Sequence, residues 1–174
     1  MGSPSDWPVP ATLIYLFRDD QVLLLRRNKK AGDTHQGKYV GLGGKLAPGE
    51  SLLECAVREV YEESGFILEP SSLCFRGHLN CPGFDRKGRD WLVFVYSCHQ
   101  FSGNQTSVCQ EGELVWVDRS KIQSFPMWEG DYRFLNCLLA GENFDMTVRY
   151  EGEALKECRL NILAQAFRIT GPEE

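Results

Sequence analysis

Long apolar runs are missing from this chain of 174 residues. The longest, about Trp91 to Tyr96, falls well short of the roughly 20 residues that cross a bilayer, so no membrane-spanning helix is expected. Histidine is scarce: His35, His78 and His99 never fall at metal-ligand spacing, which argues against a His-based zinc centre. The seven cysteines form an odd, scattered set without a C-x-x-C pair. They read as reduced, structural thiols and not as a disulfide framework. Positive charge is also short, with 19 Lys and Arg against 24 Asp and Glu for a net charge of -5. That is the wrong sign for docking along a nucleic-acid backbone, so no polymeric nucleic-acid partner is expected. Residues 1–10 are polar and proline-punctuated, read as a flexible N-terminus without the apolar core of a secretory signal, so a cytoplasmic location is expected. Asp6 stands where a myristoylation signal needs Ser or Thr. No repeat or linker divides the rest, which reads as one domain over residues 11–160, with residues 161–174 as a C-terminal extension expected to be helical.

What remains is an ordinary core-forming composition, 43% hydrophobic and 25% charged, and it argues against wholesale disorder. The charge is patterned. Arg26, Arg27, Lys29 and Lys30 form a basic run, whereas Glu50, Glu54, Glu59, Glu62 and Glu63 crowd a later stretch. Opposite clusters so close in sequence suggest a bound anion handled with metal. Ala11 to Phe17 and Val22 to Arg27 read as a hairpin across a polar turn, and further strands are expected at Phe66 to Leu68, Leu73 to Cys81, Trp91 to Gln100 and Glu113 to Val117. A second helix, capped by Asp131 and stopped by Gly141, precedes a strand on which Phe144, Met146, Val148 and Tyr150 alternate with polar residues. The fold class implied is α+β, sheet and helix in layers.

The best-marked element follows the glycine-rich stretch Gly41-Leu42-Gly43-Gly44. Ser51 with Glu54 is a capping box, Leu53, Ala56, Val57 and Val60 recur at helical spacing, and Gly65 is placed as a left-handed cap. Glu59, Glu62 and Glu63 lie on one stripe bordering that apolar face. On an arbitrary helix such a stripe is a solvated face, with Arg58 paired to Glu54 and Glu62. Here the carboxylates border a core, and each pair ~5 Å apart costs ~3 kcal/mol at an effective dielectric of ~20. A cluster of hard oxygen ligands beside a glycine loop selects Mg²⁺ or Mn²⁺.

The stretch GGKLAPGESLLECAVREVYEESGF resembles the Nudix box, G-x5-E-x7-R-E-U-x-E-E-x-G-U, at every defined position: Gly44, Glu50, Arg58, Glu59, Val60, Glu62, Glu63, Gly65 and Phe66. A chance match in this chain is on the order of one in ten million at ordinary residue frequencies. His35 to Lys45, Glu111 to Val117 and Trp128 to Asp131 further resemble MutT/MutX-type 8-oxo-dGTP diphosphatases.

The resemblance implies a mixed sheet between helices (an α/β/α sandwich) and Mg²⁺- or Mn²⁺-dependent hydrolysis of a purine nucleoside triphosphate, an oxidised one foremost, to monophosphate and pyrophosphate. It makes Gly43, Glu59, Glu62, Glu63 and Glu111 metal ligands, with Glu62 or Glu111 as the base. Arg58 would brace the glutamates, and Arg27, Tyr39, Lys45, Trp128 and Asp131 would contact substrate. The expected partner is a small nucleotide, on a monomer or homodimer. Val40 stands where mammalian relatives place a base-reading Asn, and Glu129-Gly130-Asp131 replaces their acidic pair, so the bacterial pattern fits better. Alternatives left open are an ADP-ribose or nucleotide-sugar pyrophosphatase, suggested by Pro82, an RNA 5′-pyrophosphohydrolase, and a catalytically silent nucleotide sensor.

Overall fold

A computed structural model describes residues 7–164. The remainder of the N-terminal stretch and of the C-terminal extension lies outside the described residues. Strands β1 (Val9–Arg18) and β2 (Gln21–Arg27) form the expected hairpin, followed by β3 (Tyr39–Val40), helix α1 (Leu52–Ser64) and β4 (Phe66–Ile67). Then come β5 (Leu73–Cys81), β6 (Trp91–Cys98), β7 (Ser102–Gly103), β8 (Gly112–Asp118), helix α2 (Glu129–Leu139), β9 (Asn143–Glu151) and β10 (Ala154–Leu163). One mixed eight-stranded sheet runs β10-β9-β5-β6-β1-β2-β3, with β8 also on β2, while β4 and β7 pair separately. β1 lies parallel to β6 and antiparallel to β2.

Side-chain alternation along the strands divides the core in two. Ile14, Leu16, Leu23 and Leu25 pack with Ala56 and Val60 of α1. Tyr15, Phe17, Val22 and Leu24 face the other way, onto Phe134, Leu135 and Leu138 of α2. The sheet is thus covered by a helix on each face, the layered α+β arrangement expected. Among the described residues no helix is long and apolar enough to cross a membrane.

Two expectations about the ends of the domain are corrected. Val9 and Pro10, assigned to a flexible start, already belong to β1 and pair with Trp91 and Leu92. Asn161, Ile162 and Leu163, expected in a helix, continue β10 opposite Asp145, Phe144 and Asn143. The period-two spacing of Cys158, Leu160 and Ile162 favours the ladder with β9 over a helix.

Candidate active site

The glycine stretch reaches its place by hydrogen bonding to β1. Ile14 N–H donates to the Leu42 carbonyl at 2.6 Å and Thr12 N–H to the Gly44 carbonyl at 2.8 Å. Gly43, between them, has φ +141°, and a Cβ there would sit 2.1 Å from the Thr12 carbonyl oxygen. A Cβ on Gly44 would sit 2.5 to 2.7 Å from the carboxyl atoms of Glu59. Glycine at 43 lets this backbone lie directly against β1, and the bare Gly44 leaves room for the Glu59 carboxyl beside it. The Gly43 N–H donates to Glu63 Oε2 at 2.9 Å. Among the described residues no donor reaches the Gly43 carbonyl.

Helix α1 starts and ends as its sequence dictates, with the Ser51–Glu54 capping box and Gly65 in the left-handed conformation. Its buried face is rotated from the expected one. Leu53 is exposed, whereas Cys55, Ala56, Val60, Glu63 and Ser64 are buried, so the carboxylate stripe turns partly inward. Glu63 is only 6% exposed, and burial pushes its carboxyl up to about 8 against the Gly43 hydrogen bond. Burial also raises Glu59, with Glu62 and Glu111 adding to it and Arg58 opposing.

Arg58 organises the same stripe. It grips Glu50 through Nε at 2.7 Å and Nη2 at 2.9 Å, and its Nη1 donates to Glu59 at 2.7 Å and Glu62 at 3.3 Å. Glu54 is committed to the cap, so of the two pairings a merely solvated face would give Arg58, only that to Glu62 forms among the described residues. The bonds to Glu50 raise the Arg58 guanidinium and draw the half-buried Glu50 carboxyl down to about 2. Glu62 points outward, its side chain 57% exposed.

The register of β2 against β8 pairs Arg27 with Gly112 and so sets Glu111 beside Arg27. Arg27 Nη1 donates to Glu111, and its Nε donates to Asp33 at 2.6 Å. This largely buried guanidinium therefore joins the acidic cluster to the loop after β2.

Two adjacent cavities share the glycines as a border. An outer cleft of about 790 Å³ is lined by Glu59, Arg58, Glu111, Lys45 and the loop between β5 and β6. An inner cavity of about 120 Å³ is lined by Trp128, Asp131, Tyr150, Cys81 and Phe84. Arg27, His35, Gly43, Gly44, Phe84 and Trp91 border both. Trp128 is nearly buried, and its indole N–H donates to His35 Nδ1 at 2.9 Å. Burial lowers His35 to about 4, so it stays neutral and can accept that bond. Tyr150 and Phe84 meet the indole edge-on at 4.8 and 5.4 Å, and Lys38 Nζ lies 4.6 Å over it.

Asp131 is not the helix cap. Trp128 holds that position and Asp131 lies in the first turn, lining the inner cavity, its carboxyl without a hydrogen-bond partner among the described residues. Burial raises it to about 7, with Lys38 opposing. Tyr39 is not brought to the site: it borders neither cavity, and its ring packs 5.0 Å from Phe125 on the α2 side. Lys45 does line the outer cleft, with Nζ 5.2 Å over Trp91. Phe84 and Tyr150 carry no local motif for their wall positions, whereas His35 sits in the resembling segment and its role needed the fold to appear.

Among the described residues, no three His, Cys, Asp or Glu side chains already form a cation cage. Glu59 turns to Arg58 and Glu63 to the Gly43 amide. The donors nevertheless fit a hard divalent cation. They are all oxygens, Glu111 and Glu59 each raise Glu63, and the Gly43 carbonyl on the same loop is unbonded.

The NUDIX domain family matches residues 7–137. The chain is 32% identical over 128 residues to the Uncharacterized Nudix hydrolase YvcI of Bacillus subtilis, covering 73% of this chain and 77% of that protein. It is 27% identical over 143 residues to the Oxidized purine nucleoside triphosphate hydrolase of Danio rerio, covering 81% and 86%. The crystal structure of a MutT protein from Bacillus halodurans superimposes with a TM-score of 0.77 at 27% identity, over 88% of this chain and 97% of that one. With an intact box folded onto a glycine loop and a matching sheet behind it, the chain belongs to the Nudix hydrolase family.

Proposed function

We propose that this chain is an Mg²⁺- or Mn²⁺-dependent pyrophosphohydrolase of a purine nucleoside triphosphate, an oxidised 8-oxo-dGTP-like one foremost, releasing nucleoside monophosphate and pyrophosphate. The observation that carries the reading is the adjacency of the two cavities. An inner cavity walled by Trp128, Phe84 and Tyr150 shares Gly43 and Gly44 as a border with a cleft lined by Glu59, Glu111, Arg58 and Lys45. The inner cavity suits a flat aromatic base and the outer one a polyphosphate.

Glu59, Glu63 and the Gly43 carbonyl would hold the dication, with Glu62 and Glu111 at its margin. Bound there, it would supply charge neutralisation for phosphate oxygens and a lowered pKa for a coordinated water. The protein groups do the rest. Arg58 fixes Glu59 while keeping only a long contact to Glu62, leaving that solvent-facing carboxylate able to accept a proton from water. Arg27 holds Glu111 at the cleft wall as the second candidate base. His35 orients Trp128 for stacking, which contributes roughly 1 to 3 kcal/mol per base. Asp131, which lines the inner cavity and is unbonded among the described residues, would hydrogen-bond a purine edge. The relatives' named activity on oxidised purine triphosphates supports this substrate class.

The test is a kcat/KM panel over normal and oxidised purine triphosphates, ADP-ribose and nucleotide sugars, with products resolved. Pyrophosphate plus monophosphate from an oxidised purine triphosphate, at the highest kcat/KM of the panel, is expected. Ribose phosphate released faster from ADP-ribose would overturn the substrate assignment.

A further inference from the structure

We propose that Arg86 and Lys87, on the turn between β5 and β6, form a subsite for the terminal phosphate of a triphosphate substrate. The proposal rests on the nucleotide-hydrolase reading above and deepens it, assigning residues that discriminate triphosphates from diphosphates. Both residues line the outer cleft and are absent from the inner cavity, so they sit on the phosphate side of the site.

Their turn is built to a fixed shape. Asp85 accepts from the Lys87 amide at 2.9 Å, the Arg89 amide at 3.0 Å, Arg89 Nε at 2.7 Å and the Trp91 indole at 3.1 Å. Phe84 N–H donates to the Arg89 carbonyl at 3.0 Å, and the Phe84 ring packs against His35, Trp91, Trp128 and Tyr150. The same turn therefore supplies one wall of the inner cavity and the cationic wall of the outer one.

The distribution of charge separates these two cations from most of their neighbours. Arg27, Arg58 and Arg89 are each committed to carboxylates at 2.7 Å or less, Lys30 lies 3.9 Å from Glu111, and Lys45, though without an ion pair, rests over the Trp91 ring. Arg86 and Lys87 make no ion pair among the described residues, and both are exposed. The Arg86 head reaches across to the facing loop: a Cβ on Gly32 would sit 3.3 Å from its Nη1. Two adjacent uncompensated cations, aimed by a rigid turn over a cleft that holds carboxylates at its floor, suit the end of an anionic chain. A diphosphate is one phosphate shorter and leaves them unused.

The test compares wild type with the Arg86→Ala/Lys87→Ala and Arg86→Gln/Lys87→Gln double variants at low ionic strength, where exposed charges are least screened. Two readouts are taken: the kcat/KM ratio of nucleoside triphosphate to diphosphate on one base, and calorimetric binding of inorganic tripolyphosphate. The ratio and the tripolyphosphate affinity should each fall at least about tenfold in both variants, as for lost charge-assisted phosphate contacts. Unfolding temperatures report that the fold survives. An unchanged ratio, an equal loss for both nucleotides, or unaltered tripolyphosphate affinity overturns the subsite. Should wild type hydrolyse no nucleotide, the proposed function fails while tripolyphosphate binding still decides the subsite, a wild type that binds none counting against it.

Discussion

Replacing Asp131 with Asn tests the inner cavity through stability before any substrate is added. The carboxyl titrates near 7 in the folded protein against an ordinary value of 3.8, because burial disfavours its charge more than Lys38 favours it. A carboxyl raised in this way favours folding fully below pH 3.8, and that contribution is lost as pH rises through about 7. The rise corresponds to an upper limit of ~4 kcal/mol at ~1.36 kcal/mol per pH unit. The carboxyl borders an open cavity, so roughly half, ~2 kcal/mol, is the working figure. Other groups lining the cavity stay outside the window: His35 is lowered to about 4, Cys81 is pushed up to about 12, and burial raises Tyr150 well above the ordinary tyrosine range; Glu63, raised to about 8, does fall within it, but its contribution is common to both proteins and cancels in the comparison. Only the part of the Asp131 loss above pH 5 is read between pH 5 and pH 8.5, so urea unfolding should show wild type losing ~1.4 kcal/mol more than the Asn variant. At the higher pH the variant should melt ~4 to 8 °C above wild type, given ~2 to 4 °C per kcal/mol for a chain of this size. The same pH loss in both proteins, or an Asn variant less stable at pH 8.5, refutes the assignment of a charge-averse carboxyl to this cavity.

Four further outcomes follow from the geometry. Glu62→Gln should lower kcat by at least ~100-fold, as for a base or metal ligand, with near-normal turnover in steady-state assays rejecting the role. Arg58→Lys should lose stability by about 1 to 2 kcal/mol, because an ammonium cannot reproduce the forked grip on Glu50 while holding Glu59; chemical denaturation measures it. Gly43→Ala should cost more than about 2 kcal/mol or prevent folding, since its Cβ meets the Thr12 carbonyl at 2.1 Å; a soluble variant with wild-type melting would contradict the close approach. Chelation by EDTA should abolish turnover, and Mg²⁺ or Mn²⁺ should restore it.

How much of this was readable in the chain depends on whether the signal is local. Helix α1 is legible because cap box, apolar period and terminal glycine agree within one stretch. β5 is legible from its residue types and bounding turns, and its ends match the expectation. The roll of α1 about its axis is not legible. Leu53 and Val57 are as apolar as Cys55 and Ala56, and the choice between faces falls to the loop at Gly43, which takes Glu63 into the interior. Asp131 shows the same limit. An acidic residue at a helix start serves equally as a cap or as a first-turn acid, and the chain entering α2 through Trp128 decides between them. Tyr39 lies within a resembling segment, yet strand alternation sends its neighbour Val40 to the α1 side and Tyr39 to the other.

The same alternation explains why the site lies where it does. β1 sends Ile14 to one core and Tyr15 to the other, so its backbone runs between the two hydrophobic layers. The strand is paired with β6 along one edge, and its other edge, over Thr12 to Ile14, is finished only by the loop at Leu42 and Gly44. That loop can satisfy β1 only by lying against it, and it lies there because residue 43 is glycine, while a Cβ at 44 would instead displace the Glu59 carboxyl. The requirement of a sheet edge thus brings bare backbone to the acidic stripe of α1 on one side and to the inner cavity on the other. Filling Gly43 should therefore damage folding and site together, whereas filling Gly44 should displace the Glu59 carboxyl and damage the site. An alanine at Gly44 that lowered activity without moving the Glu59 carboxyl would break the link, because the Cβ there meets that carboxyl at 2.5 Å.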